Sequence, residues 1–147
     1  MKISTKGRYG VRFLMDLGAH AHEGNVTLKD VARRQAISEK YLWQVVNPLK
    51  AAGFIRATLG AHGGYKLAKS PATISLLDIL AVLEGSGSVV ACVSAPETCD
   101  RSNDCASRQI WQEVDQKVSA VLNSITLRDM IERHQALVAK PVLDYSI

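Results

Sequence analysis

No apolar run in this chain of 147 residues approaches the roughly 20 that a bilayer-spanning helix needs, so no membrane partner is expected. A secretory h-region is also missing, because Lys2, Lys6, Arg8 and Arg12 interrupt the N-terminal stretch. A reducing cytoplasm is the expected setting. Cysteine is scarce: Cys92, Cys99 and Cys105 are the three in the sequence, and an odd number argues against a disulfide framework. HExxH, GxGxxG and P-loop patterns are absent, and no acid–base pair stands out, so an enzyme is not expected. Internal repeats and low-complexity tracts are lacking too.

What remains is an ordinary globular composition, 47% apolar and 22% charged, with a lopsided charge. The net charge is +4, but residues 1–80 carry 12 Lys/Arg against 5 Asp/Glu, a net +7. Residues 81–147 carry 6 against 9, a net −3. The front half is therefore the part expected to meet a polyanion.

Periodicity places a helix over Ser4–Ala21, with Val11, Leu14, Met15, Gly18 and Ala19 on one face. Thr27 and Asp30 read as a capping box before a short helix carrying Leu28, Val31 and Ala32. After a break at residues 35–37, Ser38 caps a helix with Leu42, Val45, Val46 and Leu49 at i, i+3, i+4, i+7 and Gly53 as its left-handed terminator. Pro48 inside this helix removes one hydrogen bond and is expected to bend it or to free the Gln44 carbonyl. Strands are predicted over Phe54–Leu59 and Tyr65–Ala68, joined by the glycine-rich residues 60–64. Ser75 and Asp78 open a further helix that ends at Glu84-Gly85. The cysteine segment reads as irregular. A long helix from Ala106 carries Ile110, Val114, Val118, Val121, Leu122 and Ile125, and a short one follows from Leu127 to about Leu137. Helix, short helix, capped helix, hairpin is the order of a winged helix-turn-helix, so the fold class expected is mainly α with a small β-hairpin wing.

The helix from Ser38 sets Lys40, Trp43, Gln44, Asn47 and Lys50 opposite its apolar stripe. Gln44 and Asn47 can bond base edges, whereas Lys40 and Lys50 can reach phosphates. Trp43 is expected to stack on sugar or a base step, or to pack under a neighbour. Gly63, Gly64 and the flanking Arg56 and His62 suit close approach to a groove. Ser4, Thr5, Lys6, Arg8 and Tyr9 offer hydroxyls and charge for phosphate contacts near a helix start. A solvated polar surface is the bland alternative for each.

Spacing alone leaves the cysteines open. C-x6-C-x5-C is not the tight pair of a zinc knuckle, and iron–sulfur cluster, zinc and thiol redox switch are equally compatible with it.

The stretches STKGRYGVRFLMDLG, ISEKYLWQVVNPLKAAGFI, GAHGGYKLA and ISLLDILAVLEG resemble the IscR, NsrR and CymR family of bacterial winged-helix regulators. STKGRY, S-x-x-Y-L with Ser38, Tyr41 and Gln44, and GGY carry the resemblance, which runs from Met1 to about His134. It implies a homodimer formed through the long C-terminal helix and bound to imperfectly palindromic double-stranded DNA, with repression expected. It implies residues 1–84 as the DNA-binding domain, 85–105 as a sensor loop, 106–138 as dimerisation and terminal helices, and 139–147 as a tail. It also implies an iron–sulfur cluster, 2Fe–2S or 4Fe–4S, on Cys92, Cys99 and Cys105, sensing iron, redox state or nitric oxide. Arg8 and Arg108 stand where such regulators keep a fourth ligand, and a cation is a poor metal ligand. Trp43 and Leu59 replace the glutamate and wing arginine usual in the family. The alternatives are a cluster-free regulator of cysteine or sulfur metabolism with the same fold, or a zinc-stabilised winged-helix adaptor that binds protein.

Overall fold

Ser4, Thr27, Ser38, Ser75 and Thr126 each stand in extended backbone immediately before a helix, with a side-chain oxygen turned onto its first turn. An oxygen in that place accepts a backbone N–H that the helix itself leaves unpaired. The computed structural model describes residues 3–85 and 87–139. Of the tail expected over 139–147, everything from residue 140 on lies outside the described residues.

The helices follow from these caps. Ser4 Oγ accepts the Gly7 N–H at 3.3 Å and opens α1 (Thr5–Ala19). Thr27 opens α2 (Leu28–Gln35), accepting the Asp30 N–H at 3.1 Å, while its hydroxyl donates to the Asp30 carboxylate at 2.6 Å. That is half of the expected box, since the Asp30 carboxylate takes the hydroxyl rather than the Thr27 backbone N–H. Ser38 opens α3 (Glu39–Ala51), which runs through Pro48 without ending there. Gly53 has φ +73°, and its N–H reaches the Lys50 carbonyl while the Phe54 N–H reaches that of Leu49, both at 3.0 Å. Those paired bonds terminate α3 as the sequence predicts.

The wing is β1 (Ile55–Thr58) antiparallel to β2 (Gly64–Leu67), with Ile55 opposite Leu67 and Thr58 opposite Gly64. β1 is shorter than predicted at both ends, with Phe54 taken up by the α3 terminator and Leu59 by the tip, whereas β2 keeps the predicted length but begins and ends one residue earlier, at Gly64 and Leu67. Then come α4 (Leu76–Glu84), α5 (Ala91–Ser94), α6 (Ala106–Ser124) and α7 (Leu127–Val138). The cysteine segment is less irregular than expected, since α5 and a turn at Pro96–Thr98 give it local hydrogen bonding.

The core gathers Phe13, Leu14 and Leu17 of α1, Val31 of α2, the α3 stripe, Ile74, Ile79 and Leu83 near and on α4, and Leu127 and Ile131 of α7. The α1 face is thus rotated from the predicted one: Val11, Met15 and Ala19 only flank the core, and Phe13 and Leu17 fill it. The rotation follows from α1 being enclosed on several sides, by α3, α4 and α7. Its glycines sit at the contacts, Gly10 against Leu83 and Gly18 against Ile131.

α7 returns to α1 through a cap that sequence reasoning did not single out. Thr126 and Asp129 form a full capping box, as Ser75 and Asp78 do for α4. The two helix starts lie side by side: Leu76 N–H donates to the Ile125 carbonyl and Leu127 N–H to that of Ile74, each at 2.8 Å. The end of α6 is therefore bonded directly to the start of α4.

Backbone and side-chain bonds from Thr126 hold the Asp129 carboxyl below the usual carboxylate range, and the Thr27 hydroxyl does the same for Asp30. A depressed folded-state value means stabilisation that is present above the unfolded value near 3.8 and is lost as pH falls through the folded one. Acidification below about pH 4 is therefore expected to unravel the starts of α2 and α7. Circular dichroism between about pH 5 and pH 2 checks this, and Asp129→Asn should flatten part of the transition.

Candidate DNA interface and cysteine segment

With Leu42, Val45, Val46 and Leu49 fully buried, α3 must turn its other side outward. Lys40, Trp43, Gln44, Asn47 and Lys50 are all exposed there. Ser38 is exposed too, but its Oγ accepts the Tyr41 N–H at 3.2 Å and serves as the helix cap. Tyr41 is half-buried, its ring edge-to-face with Tyr9 at 5.1 Å between centroids. Trp43 keeps 49% of its surface exposed and meets the Tyr65 ring edge-on at 6.5 Å. That contact joins the outward side of α3 to the wing. Burial pushes the Tyr65 phenol above its ordinary pKa, so it stays a neutral hydrogen-bonding group near neutral pH.

On the wing, Arg56 stands directly opposite Lys66 across the ladder. Two like charges so placed repel unless an anion lies over them. His62 is exposed at the tip, and its carbonyl accepts the Asn25 side-chain amide at 3.0 Å. Leu59 is 94% exposed, an apolar side chain at the far end of the hairpin. Gly63 and Gly64 are only half-exposed and have a packing duty: a Cβ on Gly64 would meet the Val26 carbonyl oxygen at 2.6 Å.

The N-terminal residues divide. Arg8 is exposed and donates to Thr5 Oγ1 at 3.2 Å; Lys6 and Tyr9 are half-buried. Ser4 is tied to the end of α4, its N–H and hydroxyl both donating to the exposed Glu84 Oε1 at 3.1 and 2.6 Å.

A group that sequence reasoning missed braces this face from behind. Asp16 is 3% exposed and takes two bonds from Arg34 Nε at 3.2 and 3.1 Å and one from Nη2 at 2.6 Å. It takes another from Gln35 Nε2 at 2.9 Å. Arg12 in turn donates to the Gln35 side-chain oxygen at 3.1 Å and to the Gln35 carbonyl. The available signal was an acidic residue lodged between Met15 and Leu17 in an apolar helix.

The three thiols are free and half-buried, on α5, after the Pro96–Thr98 turn and at the start of α6. Among the described residues no three His, Cys, Asp or Glu side chains come together in a metal-holding group. Arg108 lies across the segment, its Nε donating to the Cys92 carbonyl at 2.8 Å and its Nη1 reaching the Ser102 carbonyl at 3.5 Å. Asp115 fixes the segment's start, accepting the Val89 N–H at 2.8 Å. As arranged, the three sulfurs do not form one ligand group, so a cluster on all three requires the segment to be reshaped and Arg108 to leave the Cys92 carbonyl.

Arg108→Ala should loosen that shape. Losing a half-buried charged hydrogen bond costs about 1.5 kcal/mol at the low end of its range, which corresponds to at least about tenfold more opening. Alkylation of Cys92 by a maleimide, followed by mass spectrometry, should accelerate by that factor, and an unchanged rate would show that Arg108 does not hold the segment.

Comparison with known proteins gives a consistent set of matches. Residues 3–133 match the model of the family described as Rrf2, iron-dependent transcriptional regulator. Protein rrf2 of Nitratidesulfovibrio vulgaris is 41% identical over 131 residues, covering 89% of this chain and 87% of that protein. The structure of CymR, the global cysteine regulator of B. subtilis, is similar at a TM-score of 0.77 and 38% identity, covering 90% of this chain and 98% of that one. T. potens IscR is similar at 0.76 and 39%, covering 95% and 93%.

Proposed function

The chain belongs to the Rrf2 family of transcriptional regulators, and from that premise we propose that it binds a palindromic operator as a homodimer and represses transcription in response to a signal received at the cysteine segment. The observation that carries the reading is the junction of Trp43 with Tyr65, which puts the exposed side of α3 beside the cationic wing. Lys40, Lys50, Arg8 and Arg56 supply phosphate contacts, and Gln44 and Asn47 read base edges. The chain is a regulator and not an enzyme.

The second copy docks on α6. Ile110 and Val121 share one face of the helix and are 61% and 59% exposed, with Trp111 40% exposed beside them, an apolar surface suited to a partner. The bonds between Ile125 and Leu76 carry any shift of α6 to α4, and α4 packs on α1 and α3. Reordering of residues 87–105 thereby alters the spacing of two recognition helices in a dimer.

For the signal we favour an iron–sulfur cluster on Cys92, Cys99 and Cys105, supported by three soft donors close in sequence, the iron-dependent family description and the likeness to IscR. A cluster-free regulator similar to CymR is the second reading, favoured by the separation of the thiols in this structure. Absorption spectra with iron and sulfide analysis of protein purified without oxygen decide between them. Brown protein containing iron and sulfide supports the first; colourless, iron-free protein from iron-replete cells leaves the second.

DNA binding is tested by fluorescence anisotropy with palindromic duplexes selected by the protein from a random-sequence pool. Affinity should fall steeply with salt, and Lys50→Ala should reduce the slope by about 1. Gln44→Ala should lose about 1–3 kcal/mol of discrimination at one base position. A salt-insensitive affinity, or none, would favour the protein-binding adaptor.

A further inference from the structure

A cavity of about 470 Å³ opens between α4, α6 and the beginning of the cysteine segment, within the range of about 300–1,000 Å³ usual for small-molecule sites. Leu77, Leu80 and Leu122 form its apolar wall, with Ile3 at one side. Two carboxylates, Glu84 and Asp115, face this space, and no lysine, arginine or histidine lines it among the described residues.

Each carboxylate is half used. Glu84 Oε1 receives both bonds from Ser4, and Asp115 Oδ1 receives the Val89 N–H. Oε2 and Oδ2 accept no hydrogen bond among the described residues. Negative charge beside an apolar wall, with no cation to neutralise it, selects a ligand that brings one positive charge and a short hydrocarbon chain.

We propose that this cavity is an effector site for a small aliphatic primary amine, its ammonium between Glu84 and Asp115 and its chain against Leu77, Leu80 and Leu122. Around α6, at about 100° per residue, Asp115 and Ser119 stand on a different flank from Ile110, Val114 and Val121, while Trp111 falls between the two beside Leu122. The cavity therefore borders the dimer face along Trp111 and Leu122, with Asp115 on its far side. The site also touches both working parts of the chain. Glu84 holds Ser4 at the start of α1, and Asp115 holds Val89 at the entry to the cysteine segment. Binding is a property of the cavity itself and stands apart from the proposed operator reading.

Isothermal titration calorimetry on the full chain tests it with n-hexylamine, 1-hexanol and hexanoate. The amine should bind saturably, one per chain, and at least tenfold more tightly than the alcohol or the acid. Asp115→Asn keeps an acceptor for Val89 while removing the charge, and should weaken the amine at least tenfold. Ala81→Phe, at an exposed position on the cavity wall, should abolish binding with the fold retained by circular dichroism. Equal binding of all three probes, amine binding unchanged in both variants, or no binding to the dimer would overturn the proposal. The last result would mean that a second copy fills the cavity.

Discussion

Asp16→Ala is expected to destabilise the chain by about 3 kcal/mol, and to loosen the turn between α2 and α3 more than it loosens the rest. The carboxylate is on the buried side of α1 and accepts bonds from Arg34 and Gln35 of α2. Its removal leaves a guanidinium whose side chain is only 24% exposed without its partner. Breaking a buried pair costs about 3–5 kcal/mol, and the partial access of water to Arg34 points to the lower end. The effect spreads because Gln35 is held from both sides: its amide nitrogen bonds Asp16 and its oxygen bonds Arg12. Beyond it Ala36 takes a left-handed conformation at φ +52°, an unfavourable state for alanine that its surroundings must hold in place. Urea unfolding measures the loss, with hydrogen exchange at residues 35–38 as the local readout. A loss under about 1 kcal/mol would mean that Asp16 is not the anchor of the turn.

Gly64→Ala should be nearly as damaging, at about 2–4 kcal/mol, and should lower operator affinity at least tenfold. Gly64 has φ +142°, and an added Cβ would press on the Val26 carbonyl oxygen and carbon at 2.6 and 2.9 Å. Neither backbone atom can swing away, because Val26 and Tyr65 exchange two hydrogen bonds at 2.9 and 2.8 Å that seat the wing on the body. Gly60→Ala is the matched comparison. Its φ is +102°, yet a Cβ there meets nothing within 4 Å, so it carries conformational strain without a collision. Thermal unfolding of the two variants separates the effects, and equal midpoints would show that close approach to Val26 is not what requires Gly64.

Much of this was legible in the residues. Thr27, Ser38 and Ser75 each cap the helix that the spacing predicts, because a cap is a local bond between residues about three apart, while Ser4, read as part of the first helix, proves to be its cap. The α3 stripe was legible for a similar reason, since one helix face is fixed by period alone. The α1 face was not, because α1 is enclosed by α3, α4 and α7, and which side carries the core depends on all three. Arg108 shows the same limit. Its residue type argued against metal ligation, but its bond to the Cys92 carbonyl spans 16 positions and follows from how the segment folds back on α6.

The order of the long helices and the hairpin, the winged helix-turn-helix class, the basic front half and the place of the three cysteines follow from the residues alone. Short-range hydrogen bonds and hydrophobic period fix those features within a few residues of chain. Packing in three dimensions was needed to tie Ser4 to Glu84, to pair Asp16 with Arg34 and to lay Arg108 across the thiol segment. Those contacts join residues that no local rule relates, and the packing of one element on another brings them within bonding distance.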